Sequence, residues 1–402
     1  MLNSPATVQP LATRERTAVS LIFFANGFIV GSWAPKIPEF AARLRLDESE
    51  LGLMILCFGM GSLCAMAMVG VLIGRNGSRS ITRILAALAT PSLLVLTLAP
   101  SVWTAALALF ALGGLVGGMD VAMNANAVEV EKHERRAIMS SCHGFWSLGG
   151  VFGAALGGIL VASAGVHVHA LFVTLLVAIA VAIAWPRVLA DPPQALSVDT
   201  GSNPPGIPRR GLAGLGATVW LTGIICLIMM TPEGAILDWG ALYMREELGA
   251  TTALSGLAFG AFSAAMALLR FAGDIVRDRF GAVSTFRVSS LLAIIGLGIA
   301  GMAPSPGWAV IGFAITGLGL ANTVPIAFSA AGNLPGLPQG LAISIVTFMG
   351  YSGILVAPSV IGFIAERTGF AVIYLSLPVL IAVALLFAGL TRHADRESDA
   401  NG

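Results

Sequence analysis

Charge is scarce in this chain. Of its 402 residues only 11% are Asp, Glu, Lys or Arg, where a soluble chain carries about 25%. That shortage excludes a globular cytoplasmic enzyme. The 22 basic and 21 acidic residues nearly cancel, so no basic face exists for nucleic acid. Cysteine is rare too. Cys57, Cys64, Cys142 and Cys226 stand in apolar runs without Cys-x-x-Cys spacing; neither a disulfide framework nor a metal site is indicated, and they read as small buried hydrophobes. No P-loop spacing occurs, which excludes a built-in ATP motor, and nothing calls for a cofactor. After the first apolar run Trp33-Ala34-Pro35-Lys36 replaces any small-residue cleavage site, so that run is expected to be retained as a helix.

Apolar residues are plentiful. They make up 56% of the chain, with 48 glycines and a mean hydropathy of +0.88. This is the composition of an integral membrane protein, in which glycines let helices approach closely. A crossing helix needs about 20 apolar residues. Twelve such runs lie near 17–38, 50–74, 82–99, 102–128, 137–163, 167–188, 213–244, 251–276, 283–303, 307–332, 339–365 and 370–390. The expected fold is therefore all-α, with a six-helix bundle at 1–188, a linker at 189–211 and a second bundle at 212–402. The linker, rich in Pro, Gly and Ser, reads as flexible.

Positive charge sets the expected orientation. Sixteen Lys and Arg fall on one side, among them Arg14, Arg16, Arg83, Lys132, Arg135, Arg277 and Arg392; five, namely Lys36, Arg43, Arg45, Arg245 and Arg367, fall on the other, and Arg270 lies inside a span. Both termini and the linker are thus expected in the cytoplasm, with the chain in a bacterial inner membrane. The halves also repeat. An offset of 204 aligns Gly52, Arg75, Gly77, Gly149, Gly158 and Gly165 with Gly256, Arg279, Gly281, Gly353, Gly362 and Gly369, and an offset of 206 aligns Trp33 with Trp239. A parallel repeat of six helices points to a solute site between the halves, open to each side in turn. A membrane sensor would need a soluble signalling segment, and the 22-residue stretch Leu189–Arg210 is the longest candidate.

The segment Gly70-Val-Leu-Ile-Gly-Arg-Asn-Gly-Ser-Arg79 and its partner Asp274-Ile-Val-Arg-Asp-Arg-Phe-Gly281 both resemble the G-x-L-x-D-R-x-G signature of the major facilitator superfamily. The resemblance covers essentially the whole chain. It implies a charged latch on the cytoplasmic side, away from solute, built here from Arg75, Arg79, Glu129, Arg270, Asp274, Asp278 and Arg279. Gly74 stands where the first copy should have Asp, so the charge relay is weaker there or is completed by Glu129. On helix 5, Gly149 to Gly158 resembles the glycine signature of drug:proton antiporters, with Ala154 in place of proline. The same spacing also serves plain helix packing, and the Arg that antiporters carry in helix 4 is missing. Asp120 to Glu129, followed by Ser140-Ser-Cys-His-Gly-Phe-Trp-Ser-Leu-Gly-Gly150, resembles a bacterial branch near the fucose permeases that includes the membrane protein of the rhizopine cluster. This implies a sugar- or cyclitol-like solute. The acidic residue that fucose symporters carry in helix 1 is replaced by Asn26.

Ionisable groups at bilayer depth are functional candidates by default. Asp120 falls roughly 6 Å on the cytoplasmic side of the midplane by helical rise. Gly113, Gly117, Asp120 and Asn124 form one stripe, in which the glycines are expected to open space that the carboxylate faces. Glu233, in Thr231-Pro232-Glu233-Gly234, falls roughly 5 Å beyond the midplane, where Pro232 is expected to break helix 7 beside a cavity. Asp238 is placed at the outer mouth. His143 can relay a proton or bond a hydroxyl, and Trp146 can stack on a sugar-like ring. Asn26, Asn124, Asn322, Thr323, Thr347 and Tyr351 supply neutral donors and acceptors, or else bond helix to helix. No helix holds an unpaired Arg or Lys at mid-depth, which argues against a dedicated carboxylate or phosphate substrate. The expected protein is a monomeric transporter for a small polar solute, coupled to protons through Asp120, Glu233 and His143. A drug or metabolite efflux antiporter is the alternative.

Overall fold

The computed structural model describes residues 13–33, 36–46, 48–191, 216–250, 254 and 257–395. Residues 192–215, which include most of the linker expected at 189–211, lie outside the described residues. Nearly all of the described chain is helical. α1 is Arg14–Trp33, followed by a short helix Ile37–Leu44; α2 is Glu48–Asn76, α3 is Ser78–Ala89 with its continuation Ser92–Thr97, and α4 is Val102–Glu134. The helix Met139–Ala184 contains two crossings, because the chain turns at Gly165 (φ 83°, ψ 168°); they are α5 (139–164) and α6 (166–184). The second half has α7 Ala217–Glu246, α8 Leu257–Phe280, α9 Ala282–Gly301, α10 Pro306–Leu320 with Thr323–Gly332, α11 Gln339–Thr368 and α12 Phe370–Leu386. Eight described stretches are long and apolar enough to cross a bilayer on those grounds alone. The whole order is that of a twelve-helix membrane bundle.

The repeat is visible in the backbone. Gly77 (φ 78°, ψ 154°) opens α3 as Gly281 (φ 79°, ψ 158°) opens α9. Likewise Gly165 and Gly369, at φ 83° and 82°, turn the chain into α6 and α12. Side chains are disfavoured at such positive φ, which explains glycine at both members of each pair. One more pair at the same offset escapes sequence reading. Asp191 accepts the Ser78 and Arg79 amides at 2.6 and 2.9 Å, and Asp395 accepts that of Ala282 at 2.6 Å. Each carboxylate caps the first turn of the helix after the repeated glycine.

Packing follows the repeat: α1 lies on α5 as α7 lies on α11, and α2 on α4 as α8 on α10. Close approach at α1–α5 explains the helix 5 glycines. A methyl built at Gly149 would overlap the Phe24 carbonyl, and one at Gly27 that of Trp146. Gly149→Val is therefore expected to abolish monodisperse folded protein in detergent, while Gly260→Val, which faces open space, elutes normally; overpacking alone costs about 1–3 kcal/mol.

Three expectations change. Gly113 and Gly117 do not open a solute space; they admit Phe58 and Ser62 of α2. α7 runs on through Pro232, and the break comes in α10 instead, at Ala321–Asn322. Pro325 has no amide proton to give the Ala321 carbonyl four residues back. Of the cysteines, Cys142 and Cys226 are buried, but Cys57 is only partly so and Cys64 is exposed.

Candidate functional site

Where the halves meet, α1, α4 and α5 form a chain of polar contacts. The Asn26 amide donates to the Val116 carbonyl at 3.0 Å, and its oxygen accepts the Trp146 indole N–H at 2.9 Å. Asn124 donates to the Asp120 carbonyl at 2.9 Å, and its oxygen lies 3.2 Å from His143 Nε2. His143 is wedged between the Phe23 and Phe328 rings, at 5.2 and 5.7 Å between centroids. Asp120 is 3% exposed, and its Oδ2 is buried without a hydrogen-bond partner. A buried carboxylate oxygen is costly unless a ligand or proton completes it.

From the second half come Glu233, Arg270 and Tyr351. Arg270 Nη2 lies 4.0 Å from Glu233 Oε2, Nη1 donates to Ser147 Oγ at 2.6 Å, and Nε reaches the Ala321 carbonyl at 3.4 Å. That carbonyl is the one Pro325 leaves without an amide. The broken helix thus gains a cation in place of its missing donor. This corrects the assignment of Arg270 to the latch: one turn from Asp274 in sequence, it points instead into the site. The Tyr351 phenol lies within Coulombic reach of Asp120, Glu233, Cys226 and Arg270. Glu233, Tyr351, Trp146 and Ser147 keep partial exposure among buried neighbours. Ser147 and Pro325 were missed in the sequence, where they read as ordinary helix residues.

The remaining polar candidates spread out. Thr347 is buried with its hydroxyl unpartnered. Asn322 is buried against Gly273 of α8, and Thr323 donates to the Leu320 carbonyl at 2.9 Å. These last two belong to the α10 break. Asp238 is exposed, and Trp239 beside it stacks on Phe370 at 5.5 Å.

The face carrying most of the positive charge is sealed across the two halves. Asp274 accepts the Ser140 and Ser141 amides at 2.8 and 2.9 Å, and Asp278 accepts that of Ala137 at 3.2 Å. Two acids of α8 thus cap the start of α5, where free amides and the helix dipole favour negative charge. Arg16 of α1 stands 3.9 Å from Asp274. Glu131, absent from the sequence-based latch, is its most connected member. It takes the Ile138 and Met139 amides at 2.9 and 3.1 Å, the Ser329 hydroxyl at 2.6 Å, and Arg277 at 2.9 Å. Glu129 pairs with Lys132 at 2.9 Å, and Lys132 reaches Gln339 of α11 at 3.0 Å. Arg75 and Arg279 lie exposed, Arg279 over the Phe280 ring at 5.6 Å; Arg79 meets Asp191 through its backbone amide. Where α2 meets α11, glycine replaces the carboxylates of the α8–α5 contact. A methyl at Gly70 would fall 2.6 Å from the Gly340 carbonyl, and Ser344 donates to the Met66 carbonyl.

On the opposite face a cavity of about 210 Å³ is lined by Trp33, Lys36, Phe40, Arg43 and Thr97. Lys36 donates to Thr97 Oγ1 at 2.7 Å and the Val166 carbonyl at 2.9 Å. Burial, then the nearby Arg43 charge, lowers its pKa to about 8.

Two interlocked six-helix halves, sealed on one face and holding a polar cluster at their junction, define a solute transporter. The profile of the Major Facilitator Superfamily matches residues 19–237 and 224–401, and the chain belongs to that family. An uncharacterised MFS-type transporter of Yersinia pestis is 34% identical over 388 residues, 96% of this chain and 98% of its own. The membrane protein MosC of Rhizobium meliloti is 33% identical over 378 residues, 92% and 89% of the two chains. Among solved structures the E. coli fucose:proton symporter FucP superposes with a TM-score of 0.74 at 16% identity, covering 94% of this chain and 98% of that one.

Proposed function

We propose that the chain carries a small polar solute, sugar- or cyclitol-like, by alternating access coupled to protons. The observation that carries this reading is Asp120 Oδ2, buried and unpartnered, with the partly exposed Glu233 also within Coulombic reach of Tyr351. Two acids of different exposure at one junction suit proton uptake from one side and release to the other. Around them Asn26, Asn124, Trp146 and Tyr351 offer the amides, phenol and ring face that a polyol engages; His143 steadies Asn124 and completes the proton path. The fold shared with a fucose:proton symporter and the kinship with MosC support the same class. With the basic face in the cytoplasm of a bacterial inner membrane, both described ends lie inside, and the closed latch corresponds to an outward-facing state of a monomer.

Thermal melting of the purified protein against sugars, cyclitols, nucleosides, amino acids and hydrophobic cations, at pH 5.5 and 7.5, tests this. A ligand of the native state raises the melting temperature by mass action. A pH-dependent rise with a polyol is expected. A rise with lipophilic cations alone would favour the efflux antiporter.

A further inference from the structure

We infer that the transported solute bears a carboxylate, and that Arg270 holds it in exchange for Glu233. The inference rests on the proton-coupled reading above and narrows its solute; it reverses the sequence argument against a carboxylate, which counted Arg270 with the latch, whereas the fold places it in the site with its ion pair at 4.0 Å. Arg270 is 5% exposed inside α8, and a guanidinium at that depth calls for a partner or a function. Two of its nitrogens are engaged, by Ser147 and by the Ala321 carbonyl, which fixes the plane of the group. Nη2 makes no hydrogen bond among the described residues and faces Glu233 at 4.0 Å, the outer limit of an ion pair. Glu233 is itself 26% exposed. A fixed guanidinium with a loosely held, water-accessible counter-ion is arranged to trade one carboxylate for another, since its N–H fork matches that group in a bidentate fashion.

The exchange conserves charge. In the empty site Arg270 (+1) and Glu233 (−1) sum to zero. When a proton passed on by Asp120, whose own protonation is the same before and after, joins Glu233, the ion pair breaks, and the solute carboxylate forms a new one with Arg270; the sum is again zero. Loaded and empty carriers then cross the membrane with the same charge, avoiding a net charge at bilayer depth. The titratable and charged groups facing Arg270 besides Glu233 are Tyr351 of α11 and His143 of α5; Asp120 of α4 and Cys226 of α7 lie further on, around Tyr351.

Isothermal titration of the full-length protein with matched pairs provides the test: aldoses against their uronates and aldonates, and myo-inositol against its carboxylate analogues, at pH 5.5 and 7.5. The acid of at least one pair is expected to bind about tenfold or more tightly than its neutral partner, and better at pH 5.5. Glu233→Gln, which mimics the protonated acid, should bind that ligand equally at both pH values. Arg270→Gln should lose the preference for the acid. A neutral member binding as tightly as its acid would overturn the inference and leave the polar-solute reading standing. If Arg270→Gln fails to fold, a wild-type pH dependence that persists in Glu233→Gln overturns it just as well. Binding by lipophilic cations and by neither member of any pair would overturn both.

Discussion

Asp120→Asn is expected to abolish solute uptake driven by a pH gradient, down to the level of empty vesicles, while solute counterflow persists. The amide keeps the volume and most of the polarity of the carboxylate but cannot take up or release a proton. Counterflow needs only the loaded carrier to turn over, whereas net uphill uptake needs the proton to leave. Asp120 suits this experiment because its Oδ2 is buried without a hydrogen-bond partner, so the substitution breaks no side-chain contact of that atom. Gradient-driven uptake at the wild-type rate in Asp120→Asn would remove it from the proton path.

Glu131→Ala should open the basic face. Four groups converge on this carboxylate: two amides at the start of α5, Ser329 of α10 and Arg277 of α8. Its loss leaves the Arg277 guanidinium, 7% exposed, without its counter-ion, a change that costs about 3–5 kcal/mol for a buried pair. Of these four, Ser329 and Arg277 belong to the second half, so losing them removes ties across the sealed face and the equilibrium should shift toward the state open there. Cys142 reports it. The thiol is fully buried beneath the latch, and in a Cys57→Ser, Cys64→Ser, Cys226→Ser background its alkylation should become fast in Glu131→Ala. Adding Arg277→Met should restore part of the protection, because replacing both charges of a buried pair is far less damaging than removing one. Slow Cys142 labelling in Glu131→Ala would mean that the latch does not govern opening.

Much of this was legible in the sequence. Hydropathy gives the crossings, and the 204-residue offset gives the duplication, since glycines at positive φ such as Gly77 and Gly281 admit few substitutes. Asp120, Glu233 and His143 stand out because charge inside a span is costly. What was not legible depends on partners far apart in the chain. Arg270 lies one turn from Asp274 and reads as its neighbour; only the fold brings it to Glu233 and the Ala321 carbonyl. Glu131 and Arg277, 146 positions apart by number, each look like one more charge at a helix end. Asp191 borders the Pro-rich linker and reads as part of it, yet it caps α3. The α10 break had a signal in Pro325, overlooked because Pro232, beside an acid, drew the expectation to α7.

Proton movement accompanying solute most directly tests the central claim. Purified protein in liposomes containing a pH-sensitive dye, with no imposed gradient, would receive an inward gradient of the solute identified by melting. The lumen is predicted to acidify in step with solute entry, and Asp120→Asn should suppress that acidification. Solute entry with no change of internal pH would contradict the account.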